Sequence, residues 1–285
     1  MGGQPFNRLA LARHRRPGRP GRLPGGGEKQ DGHRPRAFVG PRATIAWTGG
    51  HDHSCRLPAV VCEDGWVRRL LVVRHAQSVW NAANRWQGWS DAPLSELGVD
   101  QAHHAGRVLA GAGVHPDLVA CSDLSRARRT AEILASELGY VGALTVDADL
   151  REQDLGDWNG LTRDEIISRW PADFEARRQG RLDTVPGGEP GARFQARAVG
   201  AIRRVAAMGA AETVVVAHGG VVIALEKEMG TWSPGSHHGN LSGWWLEVGG
   251  PAGAPELVPE ARVDLLAERG TEEPPVGAET VPGTA

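Results

Sequence analysis

Four side chains of this sequence fall where their types could act on one ligand. His75 follows Arg74 at the end of the apolar run Leu70-Leu71-Val72-Val73. Arg126 lies just beyond Leu118-Val119-Ala120. His218 directly follows residues 213–217 and leads into Gly219-Gly220. A neutral imidazole is a good nucleophile near neutral pH, because its unperturbed pKa is about 6.5. A guanidinium forks around the oxygens of a tetrahedral anion. The set is therefore suited to holding a tetrahedral dianion and attacking it. His75 is the candidate nucleophile, one ring nitrogen free to attack and the other fixed by a hydrogen bond, for instance to a backbone carbonyl. Arg74 and Arg126 would neutralise the charge that shifts toward the transition state. His218 and the amides at the helix start behind it would add donors. The leaving oxygen needs a proton. Glu152, in Leu150-Arg151-Glu152, is the candidate general acid and then the base on the hydrolytic water. A carboxyl doing this near neutral pH needs partial burial or negative charge beside it, such as a bound phosphate. Neither a metal nor a cofactor is required, and the sequence offers no convincing metal-ligand set.

These residues need elements that bring them together. Residues 70–73 have the continuous apolar character of a buried parallel strand. Ser95 caps a helix running to about Gly111, with Ala102, Ala105 and Leu109 on one face. Residues 118–120 form a second strand. Ser125 caps a helix carrying Ala127, Ala131, Leu134 and Leu138, ended by Gly139. Residues 144–146 form a short strand. Thr162 and Glu165 make a capping box, with Leu161 and Ile166 as a staple, opening one helix to about Arg178. A further helix spans residues 192–208, the strand 213–217 follows, a helix starts at Gly219, and residues 240–248 form a late strand. Strands alternating with helices imply an α/β fold with a mainly parallel sheet covered on both faces. Such sheets bind ligands beyond the carboxyl ends of their strands, which is where Arg74-His75, residues 122–126 and His218 fall.

The 285 residues suit one large domain with tails. With 40% hydrophobic residues a core is available, and a formal charge of −2 gives no field of one sign pointing to nucleic acid or an anionic membrane. Residues 1–66, dense in Arg, Gly and Pro, read as a disordered extension. There His51, Asp52, His53 and Cys55 form an accidental cluster. No methionine lies between Met1 and Met208, so if this extension is upstream sequence, a start near Val67 would need a valine-type codon. The domain itself spans 67–248, and residues 249–285 read as a flexible tail. Three cysteines, Cys55, Cys62 and Cys121, argue against a disulfide framework and fit the cytoplasm. No stretch approaches the roughly 20 apolar residues of a membrane span.

Five ordered blocks are similar to the signatures of the histidine phosphatase superfamily, also called phosphoglycerate-mutase-like. They are Val73-Arg74-His75-Ala76-Gln77-Ser78 with Asn81; Arg85-Trp86-Gln87-Gly88-Trp89 with Asp91, Pro93-Leu94-Ser95 and Gly98; Ser122-Asp123-Leu124-Ser125-Arg126-Ala127 with Thr130-Ala131; Leu150-Arg151-Glu152 with Gly156, Trp158 and Gly160-Leu161-Thr162; and Val216-Ala217-His218-Gly219-Gly220. The resemblance implies a three-layer α/β/α fold, a phosphohistidine at His75, no metal, and Asn81, Gln87 and Gly88 near the substrate, as Gly219 is beside His218. Ala76 stands where glycine is commoner in the family. The segment 221–240, containing His237-His238, looks shorter than usual, a departure that bears on the pocket wall rather than the phosphate core.

The short path from Glu152 to Thr162, and Pro186-Gly187-Gly188-Glu189, resemble the phosphatase branch rather than the mutases with their long basic insertion. The expected activity is hydrolysis of small phosphomonoesters, such as sugar or glycerate phosphates. A cofactor-dependent phosphoglycerate mutase and a non-catalytic phosphate-binding signalling module are the alternatives. Arg177 and Arg178 are candidates for a second anionic group of the substrate. His103 and His104 are expected to be exposed, Trp80, Trp86 and Trp158 are candidates for the pocket wall, and Trp244-Trp245 for a homodimer surface.

Overall fold

A computed structural model describes residues 68–267 apart from 180, 234, 235 and 252. The expectations for residues 1–66, including Cys55, Cys62 and the cluster at 51–55, lie outside the described residues, as do 268–285. Strand β1 (Arg68–Arg74) leads into a short helix α1 (Val79–Ala82) and helix α2 (Glu96–Gly111). Strand β2 (Leu118–Cys121) and helix α3 (Ser125–Glu137) follow, then β3 (Thr145–Val146). Next come α4 (Arg163–Arg169), α5 (Pro171–Arg178) and α6 (Gly191–Ala207). Strand β4 (Glu212–Ala217), helix α7 (Gly219–Glu228) and strands β5 (Ser242–Gly249) and β6 (Glu256–Asp264) complete the order.

The six strands form one sheet in the order β3-β2-β4-β1-β5-β6. The first four are parallel; β5 runs antiparallel to β1, and β6 antiparallel to β5. Because successive strand residues point to opposite faces, the two sides of the sheet collect different cores. Leu71, Val73, Val119, Cys121, Val214 and Val216 pack with α2 and α3. Leu70, Val72, Ala120, Val215 and Ala217 pack with α6 and α7. This is the three-layer α/β/α arrangement. Both clusters are built from strands buried on both faces, which is why their apolar runs are continuous rather than alternating. A third, smaller cluster (Leu155, Trp158, Ile166 and Val185) lies apart from the sheet.

Three expectations about elements are corrected. The single helix from Thr162 to Arg178 is two helices. Trp170, at φ −136° and ψ 60°, breaks it before Pro171, because proline lacks an N–H and forces its predecessor out of the helical region. The cap of α3 is Leu124, with no side-chain hydrogen bond, and Ser125 is the first helical residue. The sheet does not end at residue 248. β6 pairs with β5 through a bulge at Trp245/Leu246, and Leu265 and Leu266 behind it are buried in the first core. Its half-exposed alternation and Pro259 hid it, since proline in a sheet is tolerated at an edge. Trp245 lies against Arg69, whose guanidinium is 4.4 Å over its ring, and the Trp244 indole donates to Glu226 Oε1 at 2.9 Å. Trp245 is buried and Trp244 half-buried within the chain.

Candidate functional site

The register of the central strands builds the site. Arg74 is level with Ala217 across the β1–β4 pair, and Val216 is level with Cys121 across β4–β2. Three parallel strands therefore end together, and the residues that follow them emerge at one edge. The His75 amide donates to the Ala217 carbonyl at 3.0 Å, and the Ser122 amide to Val216 at 3.1 Å. His75 and His218 consequently sit side by side, ring centroids 5.2 Å apart and tilted by 65°. Both are buried.

His75 is held by its backbone and its ring. Its Nδ1 lies 2.6 Å from the Ala76 carbonyl oxygen. A carbonyl can only accept, so the proton is on Nδ1 and Nε2 carries the lone pair. The Ala76 amide donates to Thr130 Oγ1 and the His75 carbonyl accepts from Asn240 Nδ2. Burial, then the charges of Arg126 and Arg74, hold the His75 pKa well below 6.5, against a smaller opposing pull from Ala76. His218 is likewise held well below 6.5 by burial, then by Arg126, His75 and Arg74. Both rings are thus neutral at physiological pH. Unfolding frees these rings to take protons below about pH 6.5, so stability falls as pH drops from there toward the folded-state values. Urea titrations at pH 7.5 and 5.5 should find the protein less stable at the lower pH. The slope from these two rings should reach about 1.4 kcal/mol per pH unit for each, and it should be smaller in His218→Asn.

Arg126 stands in the first turn of α3 and is almost fully buried. Its Nη1 donates to the Ser90 carbonyl and Nη2 to the Gly88 carbonyl, both at 2.8 Å. Among the described residues its Nε has no partner, and neither ring nitrogen of His218 has one. Buried polar atoms are ordinarily paired, so these three nitrogens, the Arg126 Nε–H and the one donor and one acceptor of a neutral His218, mark where a ligand fits. Burial pushes the Arg126 pKa down to about 10, still well above neutral pH. Arg74 is aimed by the His238 carbonyl, which accepts from its Nη1 at 2.8 Å.

Glu152 faces this group from the loop after β3. One carboxylate oxygen accepts from the Gln153 amide at 2.8 Å and the other from the Gly220 amide, in the first turn of α7, at 2.9 Å. A Cβ added at Gly220 would collide with the Glu152 carboxylate. Gly220→Ala should therefore lower turnover roughly 10- to 100-fold by displacing Glu152, a displacement of about an ångström being enough. Circular dichroism should remain that of the native fold.

The other sequence candidates hold the site together. Asn81 Oδ1 accepts from the Ser78 amide at 3.1 Å, closing a capping box on α1, and Gln87 Oε1 accepts from Ser78 Oγ at 2.8 Å. Gly88 takes φ +46° because a side chain there would run into Asn159, and this close turn presents its carbonyl to Arg126. Gly219 opens α7, with room for no more than ordinary contact to Arg74. The segment 221–240 reaches Arg74 itself, through the His238 carbonyl. Trp158 and Trp86 pack in the third cluster instead of lining the site. His103 is half-buried, its Nδ1 2.7 Å from Glu137 Oε1, and His104 is half-buried too.

Sequence reasoning missed Arg197 and Asn240. Arg197, on α6, donates to the carbonyls of Asp149, Arg151 and Glu152 and forms a bidentate pair with buried Glu189. It fixes the loop that carries Glu152. Its partners are mostly backbone oxygens some 45 residues away, so no local pattern marks it. Trp89 adds a brace, its indole donating to the Glu152 carbonyl at 2.7 Å.

The sequence model of the histidine phosphatase superfamily (branch 1) matches residues 70–243. The chain belongs to this superfamily. A mycobacterial glucosyl-3-phosphoglycerate phosphatase, solved with VO3, is 33% identical. The match covers 68% of this chain and 98% of that one, with a TM-score of 0.58. A 2,3-bisphosphoglycerate-dependent phosphoglycerate mutase of Allorhizobium ampelinum is 42% identical over 102 residues, 35% of this chain and 48% of the mutase. A second, from a Methylobacterium, is 42% identical over 107 residues. The chain spans about half the length of these curated relatives. A Bacillus anthracis phosphoglycerate mutase structure, 23% identical with a TM-score of 0.57, shares the fold. Among the described residues no helix is long and apolar enough to cross a membrane.

Proposed function

We propose that this histidine phosphatase superfamily member is a metal-independent phosphomonoesterase of small phosphorylated metabolites, working through a phosphohistidine at His75. The observation that carries this reading is the group of buried nitrogens without partners among the described residues, Arg126 Nε and the two of His218, beside a neutral imidazole whose lone pair is on Nε2. In the first half-reaction His75 Nε2 forms a bond to phosphorus as the ester P–O bond breaks. Glu152 gives its proton to the departing oxygen. The guanidinium groups of Arg74 and Arg126 and the His218 ring hold the three phosphoryl oxygens, over which charge is spread in the transition state. In the second, Glu152 takes a proton from water, the water oxygen bonds to phosphorus, and the P–N bond breaks to return His75 and inorganic phosphate. Each Glu152 oxygen accepts one backbone N–H bond, which leaves a lone pair on each to carry the proton.

Mutase activity is the second reading, favoured by the names of the curated relatives. Hydrolysis has the stronger support. The solved phosphatase is 33% identical over 98% of its chain, whereas the solved phosphoglycerate mutase is matched over 93% of its chain at only 23% identity and the curated mutases match in sequence over about half of theirs. The path from Glu152 to α4 is also short, passing one turn at Gly156–Trp158, and offers no insertion to shield a phosphohistidine from water. The test is phosphate release from glycerol 3-phosphate in EDTA, alongside interconversion of 2- and 3-phosphoglycerate. Release undiminished by EDTA, with interconversion slower than hydrolysis, is expected. Interconversion that needs a bisphosphoglycerate primer and outruns hydrolysis would favour the mutase.

A further inference from the structure

Glu226 stands in the last turn of α7, a helix whose Val222, Ala224 and Leu225 belong to the second core. Its Oε1 accepts from the Trp244 indole at 2.9 Å. Its Oε2 lies 3.1 Å from His238 Nε2, and neither side chain of this pair exposes more than 1% of its surface. A carboxylate only accepts, so the ring proton faces it from Nε2. A carboxylate–imidazole pair this deep adds little net stability, because desolvation offsets the attraction, and apolar side chains would pack there as well. What the pair supplies is a fixed place for the segment after α7. The Glu226 carbonyl accepts from the Thr231 and Trp232 amides at 2.9 and 3.2 Å, and the carboxylate meets His238 further on. One residue thus grips that segment at both ends.

The far end of the segment touches the site. The Leu241 amide donates to the Arg74 carbonyl at 3.1 Å, and Asn240 Nδ2 donates to the His75 carbonyl at 2.8 Å. These two hold backbone. The His238 carbonyl instead accepts from Arg74 Nη1 at 2.8 Å and so meets the guanidinium itself. That carbonyl belongs to the residue whose ring Glu226 holds. Resting on the phosphatase reading above, we propose that Glu226 and His238 are positioning residues for Arg74: their buried pair sets the His238 carbonyl, which turns the guanidinium toward the phosphoryl oxygens. Misplacing such a group by about an ångström costs up to about 100-fold in rate.

The doubly substituted Glu226→Leu, His238→Leu protein lacks the pair and keeps an apolar core. It should unfold in urea as cooperatively as the wild type, while kcat/KM for an aryl phosphate falls about 10- to 100-fold. The same two substitutions placed on Arg74→Gln should change kcat/KM by no more than about twofold, because residues that act through one group are not additive. Glu226→Gln, which keeps the acceptor for Trp244, should lose less than the double variant, and again only with Arg74 present. It carries the test if the double variant does not fold. Glu228→Gln, also on α7 but exposed and paired with Arg203 at 2.6 Å, should stay within about twofold of wild type, as expected for a solvated pair. A loss of equal factor with Arg74 and with Arg74→Gln, or kcat/KM undiminished in the variant that folds, would overturn the inference while leaving the phosphatase reading standing. Wild-type protein that releases no phosphate would overturn both.

Discussion

His75→Ala should lower phosphate release from an aryl phosphate by about 10⁴-fold or more, the scale on which loss of a nucleophile acts. His75 Nε2 is the one ring position free to attack, since Nδ1 is committed to the Ala76 carbonyl. Arg74 and Arg126 are cations and Glu152 is tied to two backbone amides, which leaves His218 as the other imidazole of the cluster. Binding should survive the change. Inorganic phosphate should still raise the melting temperature of His75→Ala, because the arginines and His218 remain. A variant that loses turnover and phosphate stabilisation together would point to collapse of the site rather than to a missing nucleophile.

Arg126→Ala should have the second-largest effect, a loss of about 10³-fold in kcat/KM, with phosphate stabilisation abolished. Each donor aimed at developing charge is worth roughly 10²- to 10³-fold. Arg126 offers Nε and the remaining Nη protons together on a rigid plane. Arg126→Lys should restore little. A point charge cannot fork, and it would leave the Gly88 carbonyl without its donor. Stability should respond far less than activity. Stripping that carbonyl of its partner costs about 1–3 kcal/mol, but the variant also relieves a buried cation whose desolvation already lowers its pKa. Steady-state kinetics beside urea unfolding separate the two effects. A loss of stability without a comparable loss of kcat/KM would contradict the phosphate-binding role.

The central group was legible in the sequence because each member directly follows a strand or begins the helix behind it. Parallel strands in register, Arg74 level with Ala217, then force those members together. Depth of burial and exact aim were not legible. Asn240 reaches the His75 carbonyl only because β5 lies antiparallel beside β1, and no short-range pattern announces that pairing. Arg197 resembles any arginine on an amphipathic helix, yet it clamps the Glu152 loop through carbonyls that every residue possesses. The overlooked β6 failed the test of periodicity for a different reason: at the sheet edge it buries little, so its alternation is only half-exposed against exposed. Trp170-Pro171 carried its own breaker signal, which the favourable capping box upstream obscured.

The most direct measurement is rapid mixing of wild-type protein with excess aryl phosphate, quenched at neutral or alkaline pH where phosphohistidine survives, followed by peptide mapping. A phosphoryl group on His75 that forms within the first turnover and decays at the rate of phosphate release is the expected result. Full turnover with His75 unmodified, or the phosphoryl group found on His218 instead, would contradict it.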